Sequence, residues 1–260
     1  LDYIEARCLM VSGKPSDRPA AHAKLKRLID RDIAGTDQID VVMACLEVLY
    51  TRDPANLETL TALFATLETR TDWKDQLTQH VIQFYKLLTQ DRRDQLAKNT
   101  NASDPLPDLK RLRADLEASE PSLPRDRILG RLLNELAIKL TSRNPPPNEE
   151  ITALFQESLK LKEATGDLAG QAASYGSFGN YHLFTTENFA EAQRLYGADL
   201  KLVRQMGDFG QEPGLLNRSA LACFGLAKSQ SGAAQQSTRD KALTLARRSF
   251  DQALRLDQTN

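Results

Sequence analysis

An all-α fold is what this sequence predicts, and three observations carry it. Apolar residues recur at three- and four-residue steps along almost the whole chain, the period of a helix with one buried face. No segment shows the strict apolar–polar alternation of a half-buried strand. The 13 Gly and 11 Pro cluster at breaks, whereas an all-β chain needs turn residues at short, even intervals.

Taken in order, the helical pattern runs through about 20–33, 38–51, 56–70, 73–98 and 106–118, and then through about 125–141, 149–165, 168–185, 188–206, 213–230 and 238–257. Between these segments stand short punctuators: Gly35-Thr36-Asp37, Asp53-Pro54, Thr71-Asp72, Pro145-Pro146-Pro147, Gly166-Asp167 and Gly207-Asp208. Asp37, Asp72 and Asp167 suit the N-cap, where a short carboxylate accepts from a free backbone N–H of the first turn. Residues 99–107 are polar and carry two prolines; a short charged helix and Pro121-Ser122-Leu123-Pro124 follow. This places a boundary there, with divergent helical repeats over 1–98, a linker with a short helix over 99–124, and regular repeats over 125–260. The stretch Ser229–Ser237, rich in Gln, Ser and Ala, reads as a flexible loop.

Composition excludes several functions. In 260 residues, 34 Lys+Arg stand against 35 Asp+Glu, a formal net charge of -1, so the basic excess of a protein that neutralises nucleic-acid phosphates is missing. Lys24, Lys26, Arg27 and Arg31, with Arg18 nearby, make the most basic helix face. Asp17, Asp30 and Asp32 dilute it, and no aromatic residues interleave to stack on bases. No nucleic-acid partner is expected. No stretch reaches the roughly 20 apolar residues of a membrane span; the densest run, Val41 to Leu46, is cut by Asp40 and Glu47. Cys8, Cys45 and Cys223 are odd in number and far apart, which argues against a disulfide framework or a structural zinc site and favours a cytoplasmic, reducing setting. There is no signal peptide, and Leu1 begins inside a helical pattern (Leu1, Ile4, Ala6, Leu9), so the chain reads as a piece of a longer protein.

An internal repeat decides the architecture. Residues 158–167 read Ser-Leu-Lys-Leu-Lys-Glu-Ala-Thr-Gly-Asp, and residues 199–208 read Asp-Leu-Lys-Leu-Val-Arg-Gln-Met-Gly-Asp. The offset is 208 − 167 = 41 residues, and the apolar pairs Leu154-Phe155 and Leu195-Tyr196 keep it. Phe250 and Ala253-Leu254-Arg255-Leu256 repeat the second-helix pattern once more, further displaced.

These residues resemble tetratricopeptide repeats, in the longer variety of roughly 40 residues ending in Gly-Asp. Tyr175, Phe178, Gly179 and His182 fit a first helix; Phe189, Ala192 and Tyr196 fit its second. Leu133, Leu136, Ala137 and Leu140, followed by Ile151, Phe155 and Ser158, fit the preceding unit. Leu216, Ala220 and Cys223, followed by Phe250 and Ala253, fit the next one more weakly. Asp199 departs from the pattern where a small residue is usual, and His182 replaces the usual aromatic. In the N-terminal half, Asp53-Pro54, Leu60, Leu63, Leu67 and Asp72-Trp73 also resemble one 34-residue unit, with Phe64 and Gln76 off pattern, so that half reads as a divergent repeat or a generic helical solenoid. The resemblance implies a right-handed α-solenoid. Its first helices would line a concave groove that takes a peptide or protein partner.

The groove positions implied by that resemblance are Arg131, Asn134 and Glu135, then Gly176, Ser177 and Asn180, and finally Asn217 and Arg218. Asn side chains both donate and accept, which suits them to clamp an extended backbone. Arg131 and Arg218 suit a carboxylate. The two-lysine clamp of chaperone-binding members has no counterpart at the matching positions. Gly176 and Gly179, in mid-helix, each cost about 1 kcal/mol against alanine and so imply a close approach of another helix or a bound backbone.

No catalytic constellation emerges. His22, His80 and His182 lie on different helices without a triad-like or metal-spaced partner. Gly176-Ser177-Phe178-Gly179 falls inside a helix, where neither a nucleophile elbow nor a phosphate loop belongs. Glu149-Glu150 at a helix start complements the helix dipole. The expectation is a binding scaffold with no cofactor, no metal and no enzyme activity of its own. The alternatives are a regulatory or sensor module acting in cis on an attached protease or nucleotide-hydrolysing switch, and a self-assembly module.

Overall fold

The computed structural model describes residues 5, 6, 9, 17–30, 39, 41–43, 45, 46, 50, 57–69, 75–99 and 102–258. Ten α-helices and one 3-10 turn have described bounds, and no described residue lies in a strand; the molecule is all-α. Cys8, Arg31, Asp32, Asp37, Asp53-Pro54, Asp72 and Trp73 lie outside the described residues. The chain divides into two compact units, residues 1–128 and 129–260.

In the first unit, α1 spans Arg18–Asp30, α2 Leu57–Thr69, α3 Gln76–Leu96 and α4 Leu106–Ala118. The period read from the sequence is the period of burial. Leu60, Leu63, Phe64 and Leu67 line the inner face of α2, and Leu106, Leu109, Leu112 and Leu116 that of α4. Asp75 caps α3, its carboxylate accepting from the Thr78 N–H at 2.8 Å. Pro105 at the start of α4 needs no N–H there, so the Pro-bearing segment becomes a helix start. Lys24, on the basic face of α1, is ion-paired with Glu5.

Helix α5, Leu123–Thr141, leads into the second unit. There follow α6 (Asn148–Ala164), α7 (Leu168–Phe184), α8 (Phe189–Gln205), the 3-10 turn Phe209–Gln211, α9 (Glu212–Lys228) and α10 (Gly232–Gln258). Each helix from α6 to α9 packs on the next, and α7 also touches α9. The two Gly-Asp turns are made in the same way 41 residues apart. The Asp167 N–H donates to the Lys162 carbonyl at 2.9 Å, and the Asp208 N–H to the Val203 carbonyl at 3.0 Å. Gly166 and Gly207 hold φ of 66° and 70°, the left-handed conformation that ends a helix and that only glycine adopts without strain.

One expectation is overturned. Residues 232–237 are not a loop but the first turns of α10. Gly232, with φ 61°, makes the break, and the Ala-Ala-Gln-Gln run after it consists of good helix formers. Two side-chain bonds tie this start to α9 and its C-terminal turn: Gln235 Nε2 donates to the Ala227 carbonyl at 3.1 Å, and Thr238 Oγ1 to Gln230 Oε1 at 2.7 Å.

Candidate functional site

Small residues on α5, α7 and α9 set how close the second unit's helices come. A Cβ on Gly179 would stand 2.7 Å from the Tyr196 ring of α8, and one on Gly225 would stand 2.3 Å from the Phe189 ring. Aromatic rings of α8 thus lie directly on the bare backbone of both neighbouring helices. Burial of Tyr196 pushes its phenol up to about 12, and its Oη donates to Asn180 Oδ1 at 2.8 Å. Phe178 stacks on Phe155 of α6 at 4.8 Å and meets the His182 ring at 4.7 Å. His182 is half-buried, which lowers its pKa, and its Nδ1 lies 3.0 Å from Thr186 Oγ1. It packs where the family resemblance expects an aromatic.

Beneath α7 lies a polar core shared by three helices. The Lys162 ammonium donates to Ser174 Oγ at 2.6 Å, and Ser174 Oγ donates to Asn134 Oδ1 at 3.0 Å. Ser158 Oγ donates to the Gly130 carbonyl at 2.6 Å and lies 3.0 Å from Ser174 Oγ. Lys162 is 2 % exposed and Ser158 and Ser174 are wholly enclosed, so this Ser–Lys contact is out of reach of any substrate. It ties α5, α6 and α7 together.

The groove candidates separate on this frame. Arg131 is half-buried and bridges to Asp167 at 3.2 Å, while Asp167 also caps α7 by accepting from the Gly170 N–H. Asn134 is enclosed in the polar core, where its amide oxygen accepts from Ser174 Oγ. Glu135 is half-buried. Gly176 is buried, and its open side faces a protein carboxylate. Ser177 and Asn180 are half-buried, and Asn217 and Arg218 are exposed. Four of the eight, Ser177, Asn180, Asn217 and Arg218, therefore share the open faces of two helices that touch, α7 and α9.

Two further features belong to these faces. The first is apolar: Phe184 at the end of α7, and Leu221 and Phe224 on α9, are 68 %, 46 % and 47 % exposed. Sequence reasoning passed over them because a helical period cannot say which apolar residues remain uncovered. The second is Asp199 of α8, only 5 % exposed. Its Oδ2 lies 2.7 Å from where a Cβ on Gly176 would be, so the glycine leaves the space that the carboxylate fills. No hydrogen bond or ion pair reaches it among the described residues. Burial pushes its pKa up to about 7, against the opposing field of Arg218.

Among the described residues, no three His, Cys, Asp or Glu side chains are grouped to hold a metal ion, and no helix is long and apolar enough to cross a membrane. Cys45 and Cys223 are buried free thiols; burial pushes Cys45 up to about 12. No protein-family model and no curated protein sequence matches the chain.

Proposed function

We propose that the second unit is a tetratricopeptide-like, right-handed α-solenoid that binds a peptide or protein segment along the joined faces of α7 and α9. The observation that carries this reading is the composition of those faces. Ser177, Asn180, Asn217 and Arg218 offer donors and acceptors, and Phe184, Leu221 and Phe224 offer uncovered apolar area beside them. Interfaces combine apolar anchors with a polar rim in this way, and single exposed aromatics on a monomer surface do not cluster by default. The in-phase Gly-Asp turns, the neighbour-to-neighbour packing and the contact between α7 and α9 support the solenoid. Asn180 keeps its amide nitrogen for a ligand carbonyl while its oxygen accepts from Tyr196.

The test is a defined array of synthetic peptides scored for affinity to the full chain. The double variant Asn180→Ala, Arg218→Ala is expected to lose at least tenfold in affinity for every peptide the unchanged protein binds. Unaltered affinity would show that these faces are not the groove.

A second reading has its own observation. On α10, Leu243, Phe250 and Leu254 are exposed at helical spacing, which is the face a further hairpin of another copy would cover in a self-assembling array. A molecular mass in light scattering that stays constant with concentration would remove that reading.

A further inference from the structure

Asp199 is the unusual group of the second unit. A buried carboxylate ordinarily has an ion pair or several hydrogen bonds, because taking it out of water costs several kcal/mol otherwise. Ser158 occupies the equivalent place one repeat earlier, 199 − 158 = 41 residues upstream, and is fully satisfied by Gly130 and Ser174. Asp199 has no such protein partner; the residue is 5 % exposed, and its oxygens are not among the polar atoms sealed from solvent. The charged group that acts on it, Arg218, is an exposed residue of α9 and forms no ion pair with it. On the α7 side, Gly176 presents no side chain over the carboxylate.

Resting on the groove reading above, we infer that Asp199 is the floor of a cation subsite between α7 and α9, and that it takes a primary ammonium or guanidinium group of the bound peptide. Charge complementarity selects this occupant. An unpaired carboxylate in a low-dielectric position attracts a cation far more strongly than the same carboxylate at the surface. The Arg218 guanidinium stands in solvent, where its repulsion is screened, and its N–H groups would donate to the peptide carbonyl beside the cationic residue. Phe184, Leu221 and Phe224 then take an apolar side chain of the same segment. The ligand class is a short extended segment with one Lys or Arg and one large apolar residue.

The experiment follows the Asp199 side-chain carboxyl carbon by NMR in the full chain, at pH 8, with two probes. The first is n-butylammonium chloride, a minimal Lys side chain. The second is a capped pentapeptide series carrying Phe with Lys, Arg, Leu or Glu. Butylammonium is expected to shift the Asp199 resonance saturably, and Lys and Arg peptides to bind at least tenfold more tightly than Leu or Glu peptides. In Asp199→Asn both preferences vanish while residual Phe-dependent binding remains. If peptides bind without preference for a cation, or the Glu peptide wins, the subsite is overturned and the groove reading stands. If butylammonium saturates the site but no peptide binds, the cation subsite stands and the peptide reading falls. An Asp199 resonance unmoved by either probe overturns the subsite.

Discussion

At the scale of single residues, the second unit sets an enclosed polar core beside a recessed carboxylate that has no protein hydrogen-bond partner. Lys162, Ser174, Ser158 and Asn134 show that this chain can satisfy enclosed polar groups completely where nothing needs to be reached. Asp199 is left otherwise, and the consequence is a pH dependence whose sign is fixed. Its carboxyl titrates near 3.8 when unfolded and at about 7 when folded, so between those values the folded chain holds the extra proton. Stability from this group is fully present below about pH 4 and is lost as pH rises to about 7. Arg218 acts on it from α9, and Tyr196 lies on its own helix with its phenol pushed up to about 12. Asp199→Asn, measured by urea unfolding, is expected to match the unchanged protein near pH 4. It should gain on it by on the order of 4 kcal/mol by pH 8, at about 1.4 kcal/mol for each unit of pKa displacement. A difference that does not vary with pH would show that the carboxylate is already satisfied. The sequence made Asp199 visible only as a departure from a repeat pattern. That it faces the hollow left by Gly176 depends on helix rotation, which no local pattern encodes. The burial of Asn134 is equally invisible locally: the repeat resemblance implies a groove position, and only the tertiary bond from Ser174 shows what its amide oxygen meets.

At the scale of helices, much more was legible. Segments such as 106–118 and 168–185 coincide with α4 and α7 to within a residue, because burial on one face imposes the 3.6-residue period directly. The start of α10 was misread because Gln, Ser and Ala carry no apolar period, and a polar run of good helix formers cannot be told from a loop by pattern alone. Glycines show the same limit. Gly179 and Gly197 both stand inside helices, yet a Cβ at Gly179 would strike the Tyr196 ring at 2.7 Å, while nothing lies within 4 Å of one at Gly197. Gly197→Ala should therefore stabilise by about 1 kcal/mol through helix propensity alone. Gly179→Ala should destabilise, since displacing an enclosed ring costs about 1–3 kcal/mol and outweighs that gain. The pair of melting curves tests whether α7 and α8 touch through bare backbone. Stabilisation by both substitutions would mean that they do not.

At the scale of the whole second unit, packing from neighbour to neighbour makes the effect of a lesion depend on where it falls. In a stacked array, stability is a sum of hairpin terms and interface terms, so a lesion spreads only as far as the interfaces it weakens. Tyr196 is wholly enclosed and lies on Gly179 of α7, while its helix also packs on α9. Tyr196→Ala removes a buried ring, a loss of about 3–5 kcal/mol for large aromatics, from the middle of the stack. Gln236→Pro instead breaks the first turns of α10, where it removes a backbone donor and introduces a clash, at about 3 kcal/mol. The two losses are similar in size, so the location of the damage is what distinguishes them. Amide hydrogen exchange resolved by segment should show Tyr196→Ala accelerating exchange across α7, α8 and α9 together. Gln236→Pro should accelerate exchange in α10 and the facing side of α9 and leave α7 near its original protection. If both variants accelerated exchange equally from α6 to α10, the unit would be one all-or-none core, and reading it as a stack of hairpins would have to be abandoned.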